Sequence, residues 1–397
     1  MNKAMARILL ISLATVIAFP GVTAWSQTFT ILYTFEGIPH STGPAQGLIL
    51  DAAGNFYGTT FGILDGGKPH EYGKVFRLSP NGHLAILKSF GGPNGSNPEV
   101  GHLIRDSEGT LYGVTDFGGV MPGGAEGSGT VYKIDKHWHE TVLHTFTDGA
   151  DGGSPRGTIV RDKQGNLYGT TLGGLTNFGT VYKLETNGEI KVLHTFRRGK
   201  GDGDSPGGGL VADAEGNLYG TTWYGGSVLL GTVFKISKSG KETVLYSFKD
   251  GTDGNTPNGD LVLDQAGNLY GTTSQGGTFH LGTVFKIDPA GNETVLYNFK
   301  QSSLAQIDGY FPSGGVVQDG SGNLFGVTWA GGSGGAGTVY KLDTNGNETL
   351  LYSFPFGTQG SPLGTLVLDA AGNIYGVTES NSQQTSQAFG LIYKITP

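Results

Sequence analysis

The chain has 397 residues, 72 of them glycine and none of them cysteine, with 25 Lys and Arg against 33 Asp and Glu for a net charge of −8. The acid excess argues against nucleic acid as a partner, and the missing cysteine excludes both a disulfide framework and a thiol-linked lipid, so stability must come from burial. A glycine content this high would suit a low-complexity chain, but these glycines fall at fixed offsets between β-rich segments, which is how tight turns are specified.

Lys3 and Arg7 precede an apolar run from Ile8 to Phe19, and Pro20, Gly21 and the small-residue pattern Val22-Thr23-Ala24 follow. This is the layout of a secretory signal peptide. A run of 12 residues is too short for a bilayer core of about 30 Å, and no later stretch is longer. Residues 1–26 are therefore expected to be removed, leaving 27–397 as one domain in a secreted or periplasmic protein without a membrane span. The mature charge is then about −10, from 23 bases against 33 acids.

After a lone strand, Thr30 to Phe35, a motif of the form Gly-Asn-Leu-Tyr-Gly-Thr-Thr occurs seven times, centred on Tyr57, Tyr112, Tyr168, Tyr219, Tyr270, Phe325 and Tyr375. Successive spacings are 55, 56, 51, 51, 55 and 50 residues, a period that marks stacked supersecondary units. In the fourth copy four short β-rich segments follow one another: strand a at Gly209 to Ala212, b at Asn217 to Thr222, c at Gly231 to Ile236, and d at Glu242 to Phe248. An Asp-x-x-Gly frame joins a to b in every copy, starting at Asp51, Asp106, Asp162, Asp213, Asp264, Asp319 and Asp369. Asp first and Gly fourth is type I turn chemistry with a left-handed closing glycine. Consecutive hairpins make each unit an antiparallel four-stranded meander. The strand-b glycine, such as Gly220 or Gly271, costs strand propensity and is expected to admit a neighbouring aromatic ring.

Spacing separates the two ends of each unit. The distance from the strand-c aromatic to the strand-d Phe is always 14 residues, as from Phe76 to Phe90 or Phe234 to Phe248, whereas strand b to strand c ranges from 14 to 20. All length variation falls in the b–c and d–a loops, which share one face of an up-and-down sheet, and binding is expected on that face. The chain ends on a lone strand c, Gly390 to Ile395. That strand and the lone strand d at the N-terminus complete one unit between them. The expected fold is all-β: a closed seven-bladed β-propeller of four-stranded antiparallel blades, with the N-terminal strand completing the C-terminal blade.

Together GNLYGTT, the following GG, GTVFKI, ETVLYSF and DGxxPxGxL resemble the GloVer (Gloeo/Verruco) tandem repeat, found in secreted bacterial proteins called "choice-of-anchor" for their varied C-terminal sorting signals. The resemblance spans the whole mature chain. It implies a secreted repeat protein but no particular activity. The chain stops at Pro397, directly after strand c, without the apolar tail of anchored members, so no C-terminal anchor is expected.

The a–b turn aspartates are expected to cap their own turns. The d–a loops carry Asp148 and Asp151, Asp202 and Asp204, Asp250 and Asp253, with Asp260 nearby. Turn and solvation chemistry is expected of them. The alternative is weak Ca2+ binding at Asp202, Asp204, Asp250 and Asp253, although the remainder of an EF-hand loop is missing. No other cofactor is expected. His144 and His194 take the strand-d position held elsewhere by Tyr246, Tyr297 and Tyr352 and read as structural. In His137-Trp138-His139 the Trp stands where other c–d turns have glycine. A left-handed Trp would cost about 1–2 kcal/mol, so another turn shape is expected there, and a two-histidine metal site would lack further ligands.

No cysteine nucleophile, no G-x-S-x-G elbow and no HExxH motif is expected. Acid pairs for glycoside chemistry could be assembled from any two d–a loops. Aromatics on the variable face are the stronger lead: Phe61, Phe117, Trp223 with Tyr224, and Trp329 follow strand b, with Phe279, His280 and Tyr310-Phe311 in other loops. Either they pack beneath the loops or they form a platform for an extracellular glycan or protein. The function favoured is a monomeric, non-catalytic binding or envelope-associated propeller; the alternatives are an extracellular glycan-active enzyme using loop carboxylates and a purely structural surface protein.

Overall fold

The structure is a computed structural model that describes residues 27–35, 43–65, 68–98, 101–199, 201–249, 251–300, 308–379 and 390–397. The expected signal peptide and Asp250 lie outside the described residues. Among those described there is no α-helix, and none long and apolar enough to cross a membrane. The architecture is all-β, built from antiparallel four-stranded sheets. In the fourth unit Val211–Ala212, Leu218–Thr222, Thr232–Ile236 and Glu242–Ser247 pair in that order, and the same a-b-c-d order recurs along the chain.

Turn chemistry follows the sequence. Gly216 sits at φ +86°, and its N–H donates to the Asp213 carbonyl at 3.1 Å. The Asp213 carboxylate accepts from the Asn217 N–H (2.8 Å), the Asn217 amide (2.6 Å) and the Tyr219 hydroxyl (2.9 Å). Burial pushes this carboxyl up, but those bonds hold it below its ordinary value. Asp51, Asp162, Asp264 and Asp369 repeat the arrangement with Tyr57, Tyr168, Tyr270 and Tyr375.

Trp138 does not avoid the left-handed conformation, contrary to expectation. It lies at φ +68°, its N–H donates to the Asp135 carbonyl at 2.9 Å, and the turn keeps the shape of its glycine counterparts. The strain is offset by packing, since the indole lies against Tyr57 of the preceding unit with Arg77 5.7 Å from its ring centre.

Packing is dominated by one repeated arrangement. Gly220 of strand b faces Phe234 of strand c, so close that a Cβ at Gly220 would fall 2.7 Å from the ring. The equivalent glycines 58, 113, 169, 271, 326 and 376 are covered in the same way by Phe76, Tyr132, Tyr182, Phe285, Tyr340 and Tyr393. Each covering ring also meets, edge to face, the strand-d Phe of the preceding unit, as Phe234 meets Phe196 at 5.2 Å. Seven hydrophobic clusters lie between neighbouring sheets in the described residues, and in each the side chains come from two consecutive units.

The chain ends meet as the segment order requires. Thr28–Thr34 pairs antiparallel with Gly390–Thr396, from Thr28 opposite Thr396 to Thr34 opposite Leu391. Phe35 then meets Phe76 edge to face at 5.5 Å, within a cluster that joins the last unit to the first.

Two stability outcomes follow. Phe35→Ala is expected to cost about as much as Phe248→Ala, roughly 3–5 kcal/mol for each buried ring, measured by urea denaturation. A much smaller cost for Phe35 would mean that the terminal junction is not equivalent to the internal ones. Tyr182 is fully buried and its hydroxyl has no protein hydrogen-bond partner, while Phe76, Phe234 and Phe285 fill the same position in three other units. Tyr182→Phe is therefore expected to raise stability by about 1 kcal/mol.

Candidate functional site at the convergence of the first strands

Each strand a follows a proline and presents one residue just before its first core side chain: Gly47, His102, Thr158, Gly209, Asp260, Gly315 and Thr365. The starts of these strands, from all seven units, line a single cavity of about 60 Å³. Glycines let the backbones approach there; a Cβ on Gly208 would fall 2.4 Å from the Gly259 carbonyl oxygen, and one on Gly101 2.2 Å from that of Gly157.

Two of the seven residues carry charge, and they meet. His102 Nδ1 lies 3.3 Å from Asp260 Oδ2, and His102 Nε2 lies 2.8 Å from the Gln46 carbonyl oxygen. Both ring nitrogens face acceptors, so the ring is satisfied as an imidazolium. Asp260 also accepts from the Thr158 hydroxyl (2.5 Å) and the Gly209 N–H (2.6 Å). Burial pushes the His102 pKa down, but Asp260 and the Gln46 carbonyl reverse this and hold it above its ordinary value. Burial likewise pushes Asp260 up, and its three donors, His102 foremost, bring it below the usual carboxylate range. The pair is saturated, so neither group is available as a general base; it closes the cavity as a polar plug.

Around the plug stand residues from the ends of strand b and the starts of strand a. Asp116 is buried and accepts from Arg156 Nη2 at 3.0 Å. Burial outweighs that cation and leaves the Asp116 carboxyl raised. The Arg156 guanidinium is 5.9 Å from the Trp223 ring centre, and Trp223 lies flat on Gly207, whose Cβ would fall 2.0 Å from the indole. Across the same face Trp329 donates its indole N–H to Glu379 Oε1 at 2.6 Å. Burial raises the Glu379 carboxyl despite this bond.

The aromatics expected to act together differ in exposure. Trp329, Tyr224 and Phe117 are 48%, 47% and 46% exposed, whereas Trp223 and Phe61 are half-buried. Among the loop carboxylates, Asp202 accepts from His194 Nε2 (3.0 Å) and the Arg197 N–H (3.0 Å). Asp204 is buried beside Arg198 (3.3 Å) and accepts from the Ser205 hydroxyl (2.8 Å). Asp253 is buried and accepts from the Tyr246 hydroxyl (2.7 Å) and the Lys249 N–H (3.0 Å). His144 and His194 each occupy the place of such a tyrosine, edge to face on Phe146 and Phe196. His139 is bonded to Asp135 at 3.3 Å.

The bare G-x-S-x-G spacing does occur, at Gly203-Asp204-Ser205-Pro206-Gly207 and from Gly331 to Gly335. Ser205 has φ +57°, but Asn97, Ser154, Thr256 and Phe311 share that conformation before their own prolines, at +50° to +58°. It is a feature of the repeat, and the Ser205 hydroxyl is spent on Asp204. Sequence reasoning passed over His102, Arg156, Asp116 and Glu379; aligning the seven copies on the residue before the strand-a core position would have put His102 and Asp260 in equivalent places.

The Gloeobacter/Verrucomicrobia repeat model matches the chain over residues 21–201, 117–308 and 263–397. No curated protein matches. Among solved structures the chain is similar to the extracellular domain of BT4673 from B. thetaiotaomicron, assigned as a one component system, at 13% identity and TM-score 0.57 over 92% of this chain and 40% of that one. The extracellular domain of BT3049, assigned as a hybrid two component system of the same organism, gives 15% identity and TM-score 0.55 over 93% and 41%. Puromycin hydrolase gives 13% identity and TM-score 0.53 over 86% and 50%. The chain thus spans about half or less of these proteins, and at such identities the likeness is one of fold, all-β and propeller-like.

The plug makes a pH-dependent prediction. His102, with its pKa raised above 6.5, contributes stability that is full below 6.5 and lost as pH rises through its folded value; Asp260, lowered below 3.8, contributes stability that is lost as pH falls through its folded value. Asp260→Asn is therefore expected to cost most between about pH 4 and 6.5, roughly 3 kcal/mol for breaking a largely buried pair, and less at pH 9. Urea denaturation at pH 5 and pH 9 checks this.

Proposed function

The chain belongs to the Gloeobacter/Verrucomicrobia repeat family, and we propose that it is a secreted, closed seven-bladed β-propeller that binds an extracellular glycan or protein on its b–c and d–a loop face. Support for the closed form comes from the paired chain ends, the equivalent aromatic contact between last and first units, and the cavity lined by all seven. Extracellular domains among the structural neighbours fit a binding role outside the cell.

One observation carries the binding reading. Exposed Trp329, Tyr224 and Phe117 stand directly after strand b, on the face where loop lengths vary, and on that face the starts of the first strands are closed together by His102 and Asp260. A cavity of about 60 Å³ is far below the several hundred Å³ of a small-molecule pocket. A ligand on this face therefore engages the rim, where flat aromatic surfaces stack on sugar rings or anchor a protein contact.

A second reading, a glycan-active enzyme, has one observation in its favour: the raised Glu379 carboxyl beside exposed Trp329 has the character of a general acid. Such chemistry needs a second free carboxylate about 5–9.5 Å away. Asp116 and Asp260 are each committed to a cation.

The test is binding to arrayed bacterial and plant glycans, followed by variants. Trp329→Ala and Tyr224→Ala are expected to weaken binding at least about tenfold while changing stability by no more than about 0.5 kcal/mol. Trp223→Ala is expected to destabilise the fold. Unchanged binding in both Trp329→Ala and Tyr224→Ala would overturn the rim platform, and glycan hydrolysis abolished by Glu379→Gln would establish the enzymatic reading instead.

A further inference from the structure

The outer strands meet at junctions built to one plan. A strand-d side chain two residues before the terminal Phe faces a polar residue of the d–a loop, and the first residue of strand d in the next unit closes on that pair. Between the first and second units Lys88 Nζ and the Asn94 amide both lie 2.7 Å from Glu140 Oε2. This version of the pocket accommodates a positive charge.

Between the third and fourth units the same positions hold His194, Asp202 and Glu242. One ligand atom from each lies within 4.8 Å of the others, and His194 Nε2 is already 3.0 Å from Asp202 Oδ1. Asp202 is held in place by the Gly203 N–H at 2.8 Å and the Arg197 N–H at 3.0 Å. Glu242 Oε1 is buried without a protein hydrogen-bond partner, a costly state for a carboxylate oxygen unless a cation or proton meets it. Among the described residues no ammonium pairs with Glu242 as Lys88 pairs with Glu140 at the first junction. The His194 and Asp202 side chains keep about one fifth of their surface exposed, which leaves a path for an ion and a water ligand.

We propose that His194, Asp202 and Glu242 form a binding site for a divalent transition-metal ion of the Zn2+ class, clipping the third unit to the fourth. One imidazole nitrogen and two carboxylate oxygens, with water in the fourth place, suit such an ion. Ca2+ or Mg2+ would ask for six or more oxygens. Two neutral-charge considerations agree: a neutral imidazole and two carboxylates balance a dication, and both carboxylates become satisfied. The site does not depend on the rim binding described above. Sister junctions supply controls, because Ile190 stands in the Glu242 position beside His144 and Asp151, and Tyr246 stands in the His194 position beside Asp253 and Glu293.

The untagged chain, stripped with chelator, is titrated with Co2+ and with Zn2+, reading the visible Co2+ spectrum, calorimetric stoichiometry and thermal melting. The expected result is one equivalent bound, a melting temperature that rises with Zn2+, and affinity reduced at least about tenfold in His194→Ala and Glu242→Gln. Glu293→Gln and His137→Ala are expected to bind as the parent does. Glu242→Gln keeps the side-chain volume, and its melting in chelator shows that it is folded. Ile190→Glu, which completes the sister set with His144 and Asp151, is expected to raise the stoichiometry to two. Absence of Co2+ and Zn2+ binding by the parent chain, or binding retained by both His194→Ala and Glu242→Gln, overturns the assignment.

Discussion

The structure depends on a contact between a glycine without a side chain and an aromatic ring that lies on it. In every unit the strand-c ring covers the strand-b glycine and takes the edge of a Phe from the preceding unit. Any Cβ on the glycine would lift the ring and open the junction. The contact therefore couples the interior of one sheet to the spacing between sheets, and it accounts for the constant distance of 14 residues from the strand-c aromatic to the strand-d Phe. Edge-to-face pairs of this kind add about 0.5–1.5 kcal/mol each beyond area burial.

With the sheets held this way, strain can be placed where the loops meet. The residue before the strand-a proline takes a left-handed conformation in several units, as at Ser154, Ser205 and Thr256, at a cost of about 1–3 kcal/mol each. Its N–H reaches back to the preceding unit's b–c loop, Ser154 to the Ser128 carbonyl at 2.7 Å and Ser205 to that of Phe178 at 3.0 Å. Thr256 likewise donates to the Leu230 carbonyl at 3.0 Å, so the strain anchors one variable loop on another, and the loops that carry Phe117 and Tyr224 are braced in this way.

Repetition also explains how polar chemistry diversifies at low risk. The residue before the first core side chain of strand a is glycine or threonine in most units, and His102 and Asp260 occupy space left by Gly47 and Gly209. At the outer junctions one geometry accepts Lys88 with Glu140, Tyr246 with Asp253, or His194 with Asp202 and Glu242. Each substitution acts on a pocket whose walls are already supported by its neighbours.

Much of the fold was legible in the sequence because its determinants are local. The Asp-x-x-Gly turns, the β-rich segments and the strand-b glycine with its covering ring follow from spacing along the chain, since partners there lie within a few residues or at a repeated offset, and the pairing of the N-terminal with the C-terminal strand follows from the two incomplete units at the chain ends. Trp138 was misjudged because its strain is offset by Tyr57 and Arg77, which belong to another unit. The candidate site was less legible for the same reason. Trp223 and Trp329 stand at the same offset after Tyr219 and Phe325, yet tertiary structure sets one flat on Gly207 beneath Arg156 and the other in solvent against Glu379. Nothing near His102 in the chain points to Asp260, and nothing near His194 to Glu242. Period, strand order and turn type were determined by the sequence alone, because they arise from contacts within one unit; which loop side chains meet, and which stay exposed, was decided only when neighbouring units packed and brought distant residues to a common cavity.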